Sequence, residues 1–200
     1  MLPARVLVAD PPWLFGDPLP GKGRGASKQY SCLPYTRIAR IPLPPRTGEG
    51  WLFLWYVTSM IEEARDVVRA WGYEPTGGEL VWVKTTGIGS QVADPEMAKC
   101  APIEPDDSTT KLHFGMGRTV RNCDERCIIA RRGRPTVADK GVRSVFFAPV
   151  GEHSEKPARF YQLVERLTGS GPYVELFSRH QREGWTCLGD QAGLLSTVAP

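Results

Sequence analysis

Val6-Leu7-Val8-Ala9-Asp10-Pro11-Pro12-Trp13 is the stretch from which the architecture of this chain can be read. An apolar run of strand type meets an acid, two prolines and an indole. Neither proline carries an N–H and each fixes its own φ, so the strand ends there. Residues before proline are pushed towards extended geometry, which makes Asp10 and Pro11 a stiff tip. One carboxylate, rigid carbonyls and an aromatic face are thereby held at the carboxyl end of a buried strand, the edge where open α/β sheets collect ligands. The catalytic candidates are Asp10, Pro11, Pro12 and Trp13. The tip suits an exocyclic amine on a nucleobase, whose lone pair is delocalised into the ring. A carboxylate and a backbone carbonyl can accept its two N–H bonds and favour a pyramidal nitrogen. An indole can hold the base by stacking, worth about 1–3 kcal/mol. The plainer alternative is a capped strand whose Trp13 belongs to the core.

The 200 residues suffice for one domain with a full core. A net charge of +3 permits a nucleic-acid partner without demanding one. No apolar run is long enough to span a bilayer, and no secretory leader precedes the first strand, so no membrane partner is expected. Five scattered cysteines fit a reducing cytoplasm, which is the expected location. Cys123, Cys127 and His113 lack the spacing of a zinc site, and no metal is expected.

The chain then reads in order. Residues 14–28 form a loop of glycines and prolines with Lys22, Arg24 and Lys28, either one that closes over a substrate or touches phosphate or a disordered surface loop, and Tyr30 after it offers a second aromatic wall. Trp51–Val57 is a strand buried on both faces, as in a parallel sheet. A helix follows, with a capping box from Ser59 and Glu62, an apolar stripe of Ile61, Ala64, Val68 and Trp71, and a stop at Gly72. Glu79–Lys84 is the next strand, and the order suggests a βαβ unit. Thr85–Asp107 is a long irregular excursion. The basic residues from Arg118 through Arg121 to Arg131, Arg132 and Arg134, around a strand at Arg126–Ala130, are either a phosphate track or a solvated face. Ser144–Ala148 is a short strand. Pro157 opens a helix whose stripe is Phe160, Leu163, Val164 and Leu167 and whose end is Gly169. Lys156 and Arg159 sit where the helix dipole disfavours cations, which is explained if one of them faces an anion such as a carboxylate or phosphate; the plainer alternative is an exposed lysine that tolerates a small penalty. Tyr173–Phe177 and Gly184–Asp190 are the last strands, with Asp190 placed as a ribose ligand. No G-x-G-x-x-G and no phosphate-binding P-loop is present.

Together these pieces resemble the N6-adenine methyltransferase family that contains the catalytic subunit of the messenger-RNA adenosine methyltransferase and bacterial and phage DNA enzymes. The resemblance runs from Val8 to Gln191. It is carried by Asp10-Pro11-Pro12-Trp13, Leu52-Phe53-Leu54-Trp55 with Trp71-Gly72, Trp82-Val83-Lys84, and the Gly115/Gly117/Arg121/Glu125 pattern. His153-Ser154 with Lys156-Pro157, Glu175-Leu176-Phe177 with Arg179, and Gly184-Trp185 with Gly189 complete it. The middle spacing is similar to the bacterial and phage members.

The resemblance implies an α/β, Rossmann-like methyltransferase fold with a mostly parallel sheet flanked by helices and permuted motif order. It implies one methyltransferase domain over residues 1–200, with the catalytic tip at 6–13, substrate-side loops at 14–30 and 85–125, and a cofactor half at 144–191. S-adenosylmethionine would be the cofactor. Asp10 and the Pro11 carbonyl would hold the target amine, Trp13 would stack on adenine, and Tyr30, Arg118, Arg121 and Lys156 would serve the substrate. Asp10, Lys156, Glu175, Phe177, Arg179, His180, Asp190 and Gln191 would line the cofactor. The family usually has asparagine at Asp190, and the short loop from Arg179 to Gly184 leaves open whether His180 or Gln181 faces the cofactor. The expected partner is nucleic acid, DNA ahead of RNA, for a monomer or homodimer. A non-catalytic nucleic-acid-binding protein and a methyltransferase for other amines are the rival readings.

Overall fold

The computed structural model describes residues 2–14, 32–86, 111–113, 115, 119–151 and 155–189. Its centre is β1 (Ala4–Ala9), flanked in parallel by β2 (Arg46–Tyr56) on one side and β7 (Tyr173–Leu176) on the other. β8 (Trp185–Leu188) continues the parallel set beyond β7. On the far side of β2 the sheet changes direction. β5 (Asp124–Arg132) lies antiparallel between β2 and β3 (Glu74–Thr86). β4 (Lys111–Leu112) and β6 (Val145–Pro149) both pair with β3, antiparallel and parallel respectively. The order is β4-β3-β5-β2-β1-β7-β8.

Strand alternation explains the layers. A β-strand points successive side chains to opposite faces. Leu7 and Ala9 of β1, with Leu52, Leu54 and Tyr56 of β2, join one core with Ala64, Val67 and Val68 of α2 (Ile61–Ala70). Val6 and Val8, with Trp51, Phe53 and Trp55, join the other core with Phe160, Leu163 and Val164 of α3 (Ala158–Thr168). A short helix, α1 (Tyr35–Ile38), adds Ile38 to the α2 side. Phe160 is fully buried and its ring centre lies 4.7 Å from that of Trp55 and 5.2 Å from that of Tyr161.

Three local expectations change. β2 and β3 are parallel but not neighbours, because β5 occupies the place between them, so the helical connection steps over a strand. The Ser59–Glu62 capping box does not form. Thr58–Met60 makes a 3₁₀ turn and Met60 takes the cap position with no side-chain cap bond. That turn draws Ser59 into helical geometry and away from the extended conformation a capping residue needs. Pro157 stands at the extended cap of α3, one place before its first turn, while Gly169 ends the helix with φ +75° as its position suggested.

Phe160→Ala is expected to cost about 3–5 kcal/mol, because it empties a site closed by aromatic rings on several sides. Urea unfolding followed by Trp fluorescence measures it.

Candidate active site

The tip after β1 is tied down by its own backbone. The Trp13 N–H donates to the Pro11 carbonyl at 2.9 Å, and the Leu33 N–H donates to the Pro12 carbonyl at 2.7 Å. Trp13 itself turns inward. Its ring is 5% exposed, and its indole N–H donates to the Trp55 carbonyl at 2.9 Å. The expectation of an open stacking face at Trp13 is therefore corrected to the plainer alternative. The two prolines carry the chain over the α2-side core, and the apolar ring gains more by burial there than at the surface. Trp13 anchors the tip, and Asp10 projects from it.

Asp10 meets a line of alternating charges. Lys156 Nζ, from the segment leading into α3, lies 2.6 Å from Asp10 Oδ2 and 3.2 Å from Glu125 Oε2. Lys84 Nζ, near the end of β3, lies 2.5 Å from Glu125 Oε1. The Lys156 ammonium is also 5.0 Å from the Trp55 ring centre. Burial disfavours the charged lysine, but Asp10 and Glu125 outweigh it and hold Lys156 above its ordinary range. Burial also pushes Glu125 up, yet the ammonium groups of Lys156 and Lys84 bring it below the usual carboxylate value. At Asp10 burial prevails over the ammonium of Lys156, the nearby Glu125 carboxylate adds to it, and the value is raised. The expectation that Lys156 or Arg159 faces an anion is met by Lys156, which faces two carboxylates.

The second wall lies beyond β7. Glu175 is 8% exposed and accepts a bond from the Tyr161 hydroxyl at 2.6 Å, with the Ser178 hydroxyl 3.2 Å from its other oxygen. Phe177 follows at φ +62°, a left-handed conformation uncommon for a bulky side chain and associated with ligand sites. Gly189, just past β8, permits a close approach. A Cβ there would stand 2.0 Å from the Ser178 carbonyl oxygen. Only glycine lets the two strand ends meet, and the Ser178 N–H donates to the Leu188 carbonyl at 3.0 Å. A cavity opens between the carboxyl ends of β1 and β7, with Asp10, Lys156, Glu175, Phe177, Arg179 and His180 among its walls.

Of the residues expected from sequence, those six are thus brought together. Pro11 and Pro12 are at the tip, and Arg121 is exposed on the approach to β5. Tyr30, Arg118, Asp190 and Gln191 lie outside the described residues. The described members of the basic cluster are spread along β5. On β5, Arg126 is level with Tyr56, at the Asp10 end of β2, whereas Arg131 is level with Trp51. Along an extended strand that separates Arg126 from Arg132 by about 20 Å. Sequence reading gave no role to Glu125, Lys84, Tyr161 or Arg182. Glu125 stood in the motif pattern, but its pairing depends on β5 and β3 being neighbours, which no local spacing reports. Among the described residues no group of His, Cys, Asp and Glu is arranged to hold a metal ion.

An S-adenosyl cofactor fits this cavity on its own chemistry. Lys156 and Arg179 suit a carboxylate, Glu175 suits an ammonium or hydroxyl groups, and the buried Arg182 Nε at the same wall has no hydrogen-bond partner among the described residues.

Comparison with known proteins agrees. The chain is 27% identical over 198 residues to the N(6)-adenosine-methyltransferase MT-A70-like protein of Drosophila melanogaster, covering 98% of this chain and 28% of that protein. It is 28% identical over 198 residues to the human N(6)-adenosine-methyltransferase catalytic subunit METTL3, covering 98% of this chain and 29% of that one. The human N(6)-adenine-specific methyltransferase METTL4 is 28% identical over 190 residues, 93% of this chain and 37% of its own length. The chain thus spans well under half of these relatives. Residues 4–191 match the family model described as MT-A70. The sheet with helices on both faces is the Rossmann-like fold of an S-adenosylmethionine-dependent methyltransferase, and the chain belongs to the MT-A70 family.

Proposed function

We propose that this chain transfers a methyl group from S-adenosylmethionine to the N6 amine of adenine in nucleic acid, and that its acceptor is DNA. The observation that carries the reading is the Asp10 carboxylate, fixed by two prolines and held by Lys156 at 2.6 Å beside a cavity with cofactor-like polarity. The similarity of the middle spacing to bacterial and phage enzymes supports DNA. The word adenosine in the names of several relatives supports RNA as the second reading.

When bound, S-adenosylmethionine supplies a methyl group activated by a sulfonium. The remaining work falls to the chain. Lys156 occupies Asp10 Oδ2, which leaves Oδ1 to accept a substrate N–H. The Pro11 carbonyl already accepts the Trp13 N–H and has one lone pair left for the second. Two such acceptors in a fixed position draw density onto the nitrogen and orient its lone pair. The raised value of Asp10 makes it a readier acceptor for the proton released after transfer. A duplex adenine would have to leave the stack to reach the tip.

Two experiments test this. Purified protein is given radiolabelled S-adenosylmethionine with matched pools of duplex DNA, single-stranded DNA and RNA, then the products are digested to nucleosides. Label in N6-methyldeoxyadenosine is expected. Label only in N6-methyladenosine moves the acceptor to RNA, and no label in any pool overturns the activity. Asp10→Ala is expected to lower turnover at least about a hundredfold while cofactor binding is mostly retained; undiminished turnover removes Asp10 from the mechanism.

The charge line gives a pH prediction. Glu125 is depressed when folded, so its contribution is complete above 4.5 and is lost as pH falls through the lower folded value. Lys156 is raised, so its contribution is complete below 10.5 and is lost as pH rises through the higher folded value. Asp10, raised, works with the opposite sign to Glu125. Lys156→Met strands both carboxylates and is expected to cost about 3–5 kcal/mol near neutral pH. The difference from the parent should close on both flanks in urea unfolding; a constant difference across pH refutes the coupling.

A further inference from the structure

Lys84 ends the charge line three contacts away from Asp10, and it is not among the described walls of the cavity. The methyl-transfer steps above give it no role, yet its placement is fixed from several sides. The Lys84 N–H donates to the Cys123 carbonyl at 2.7 Å, and the Lys84 carbonyl accepts the His113 N–H at 2.9 Å. Strand alternation puts its side chain on the same face as that of Trp82. The Trp82 indole is itself pinned, because its N–H donates to the Ala148 carbonyl at 2.9 Å. The Lys84 ammonium lies 5.2 Å from the centre of that ring, close enough for cation–π attraction. A lysine on an open strand face would wander among rotamers. This one is held between a fixed ring and a carboxylate.

Glu125 gives its two oxygens to different lysines. Oε1 meets Lys84 at 2.5 Å and Oε2 meets Lys156 at 3.2 Å, while Lys156 lies 2.6 Å from Asp10. The unequal lengths matter. The Lys156 ammonium is shared between two carboxylates, and its shorter contact goes to Asp10. Lys84 takes up part of the Glu125 charge and fixes the plane of that carboxylate, so Glu125 competes weakly for Lys156. Without Lys84, Glu125 would have only Lys156 as a cation in contact among the described residues, and the shared ammonium would be drawn towards it. Asp10 would lose the donor that orients it, and its carboxylate could turn.

We propose that Lys84 is a positioning residue for methyl transfer: by holding Glu125, it keeps Lys156 on Asp10 Oδ2 and so keeps Oδ1 aimed at the substrate amine. The proposal rests on the reading of Asp10 as the acceptor of that amine and adds to it a residue outside the cavity. Lys84 stays off substrate and cofactor, so its effect is on turnover rather than on binding. The groups that act electrostatically on Asp10 are Lys156 before α3, Glu125 and the neutral Cys127 thiol of β5, Glu175 of β7, and Arg179 beyond it. Those that act on Glu125 are Lys156, Lys84 and Asp10. Lys84 reaches Asp10 through Glu125.

The test is steady-state kinetics of the full chain across pH, on the nucleic-acid pool that the parent methylates best, with calorimetry of S-adenosylhomocysteine binding and melting curves for every variant. Lys84→Met is expected to lower kcat about tenfold, with S-adenosylhomocysteine affinity and the KM for S-adenosylmethionine changed by less than about twofold. The acidic limb of its kcat profile should move to higher pH, because Asp10 has lost hold of the ammonium that favours its ionised form. Lys84→Arg, which keeps a cation over the ring, should recover most of the loss. The double variant Lys84→Met, Glu125→Gln should be no slower than Glu125→Gln alone, since Lys84 then has no carboxylate to hold. If Lys84→Met does not fold, Lys84→Gln replaces it in every comparison. Unchanged kcat in the single variant overturns the proposal, and a lower melting temperature does not rescue it, because that marks a purely structural residue. Additive losses in the double variant overturn it too, since Lys84 would then act by another route. An active parent with either result loses only the role of Lys84, whereas a parent that methylates no pool overturns the activity reading and the proposal with it.

Discussion

Lys156 and Asp10 are separated by 146 residues of chain and by 2.6 Å in space. Their contact joins the strand that ends in two prolines to the segment that leads into α3. The lysine side chain is 8% exposed, so its charge is largely removed from water. Burying a charge is costly unless the partners are well placed, and removing one partner leaves the other stranded. The sequence Lys84, Glu125, Lys156, Asp10 resolves this by alternating sign over three successive contacts. Each interior member has opposite charge on two sides. At Asp10, the end of the line, burial and the Glu125 carboxylate outweigh the cations and raise its value, whereas at Glu125 the two lysines prevail. Asp10 is thus the more basic carboxylate of the two, and it is the one that faces the cavity.

The supports of this line come from elements that differ in what they fix. Prolines determine the direction of the β1 tip without any tertiary contact. Trp13 then fixes its height, through an indole N–H on the Trp55 carbonyl. β5 delivers Glu125 by register, opposite Trp82 of β3. Gly189 and Phe177 work on the backbone itself, one by omitting a side chain where strand ends approach and the other by adopting a left-handed turn.

These differences explain which features could be read from residues alone. The end of β1, the stripes of α2 and α3, the stop at Gly169 and the need of Lys156 for an anion are local, since each follows from φ restrictions, periodicity or a helix terminus. The antiparallel insertion of β5 is not local. An apolar strand such as Trp51–Tyr56 reports that both faces are buried, but periodicity carries no information on the direction of its neighbours. Glu125 was hidden for the same reason, because its value lies in a pairing between strands. Trp13 had two readings from sequence, and tertiary packing selected the core. The basic residues of 118–134 looked like one cluster because sequence proximity ignores the length of an extended strand. The turn before α2 shows a smaller version of the problem, where a competing 3₁₀ turn displaced a sound capping pattern.

Stiffness rather than strong acidity or basicity is what this arrangement offers an incoming amine. A lone carboxylate on a flexible loop would have to be ordered at the moment of reaction, and its conformational entropy would add to the barrier. Here that ordering is completed during folding. The prolines remove backbone freedom, Trp13 closes off the tip beneath, and Lys156 fixes one carboxylate oxygen while the other remains an acceptor. The same division holds across the cavity. Tyr161 fixes one oxygen of Glu175, leaving acceptor capacity for a ligand. Each acid is thus held at one oxygen by a buried donor on or next to α3, with the Ser178 hydroxyl 3.2 Å from the other oxygen of Glu175. The helix acts as the common reference for the two halves of the site, so a shift of α3 would misalign substrate and cofactor contacts together.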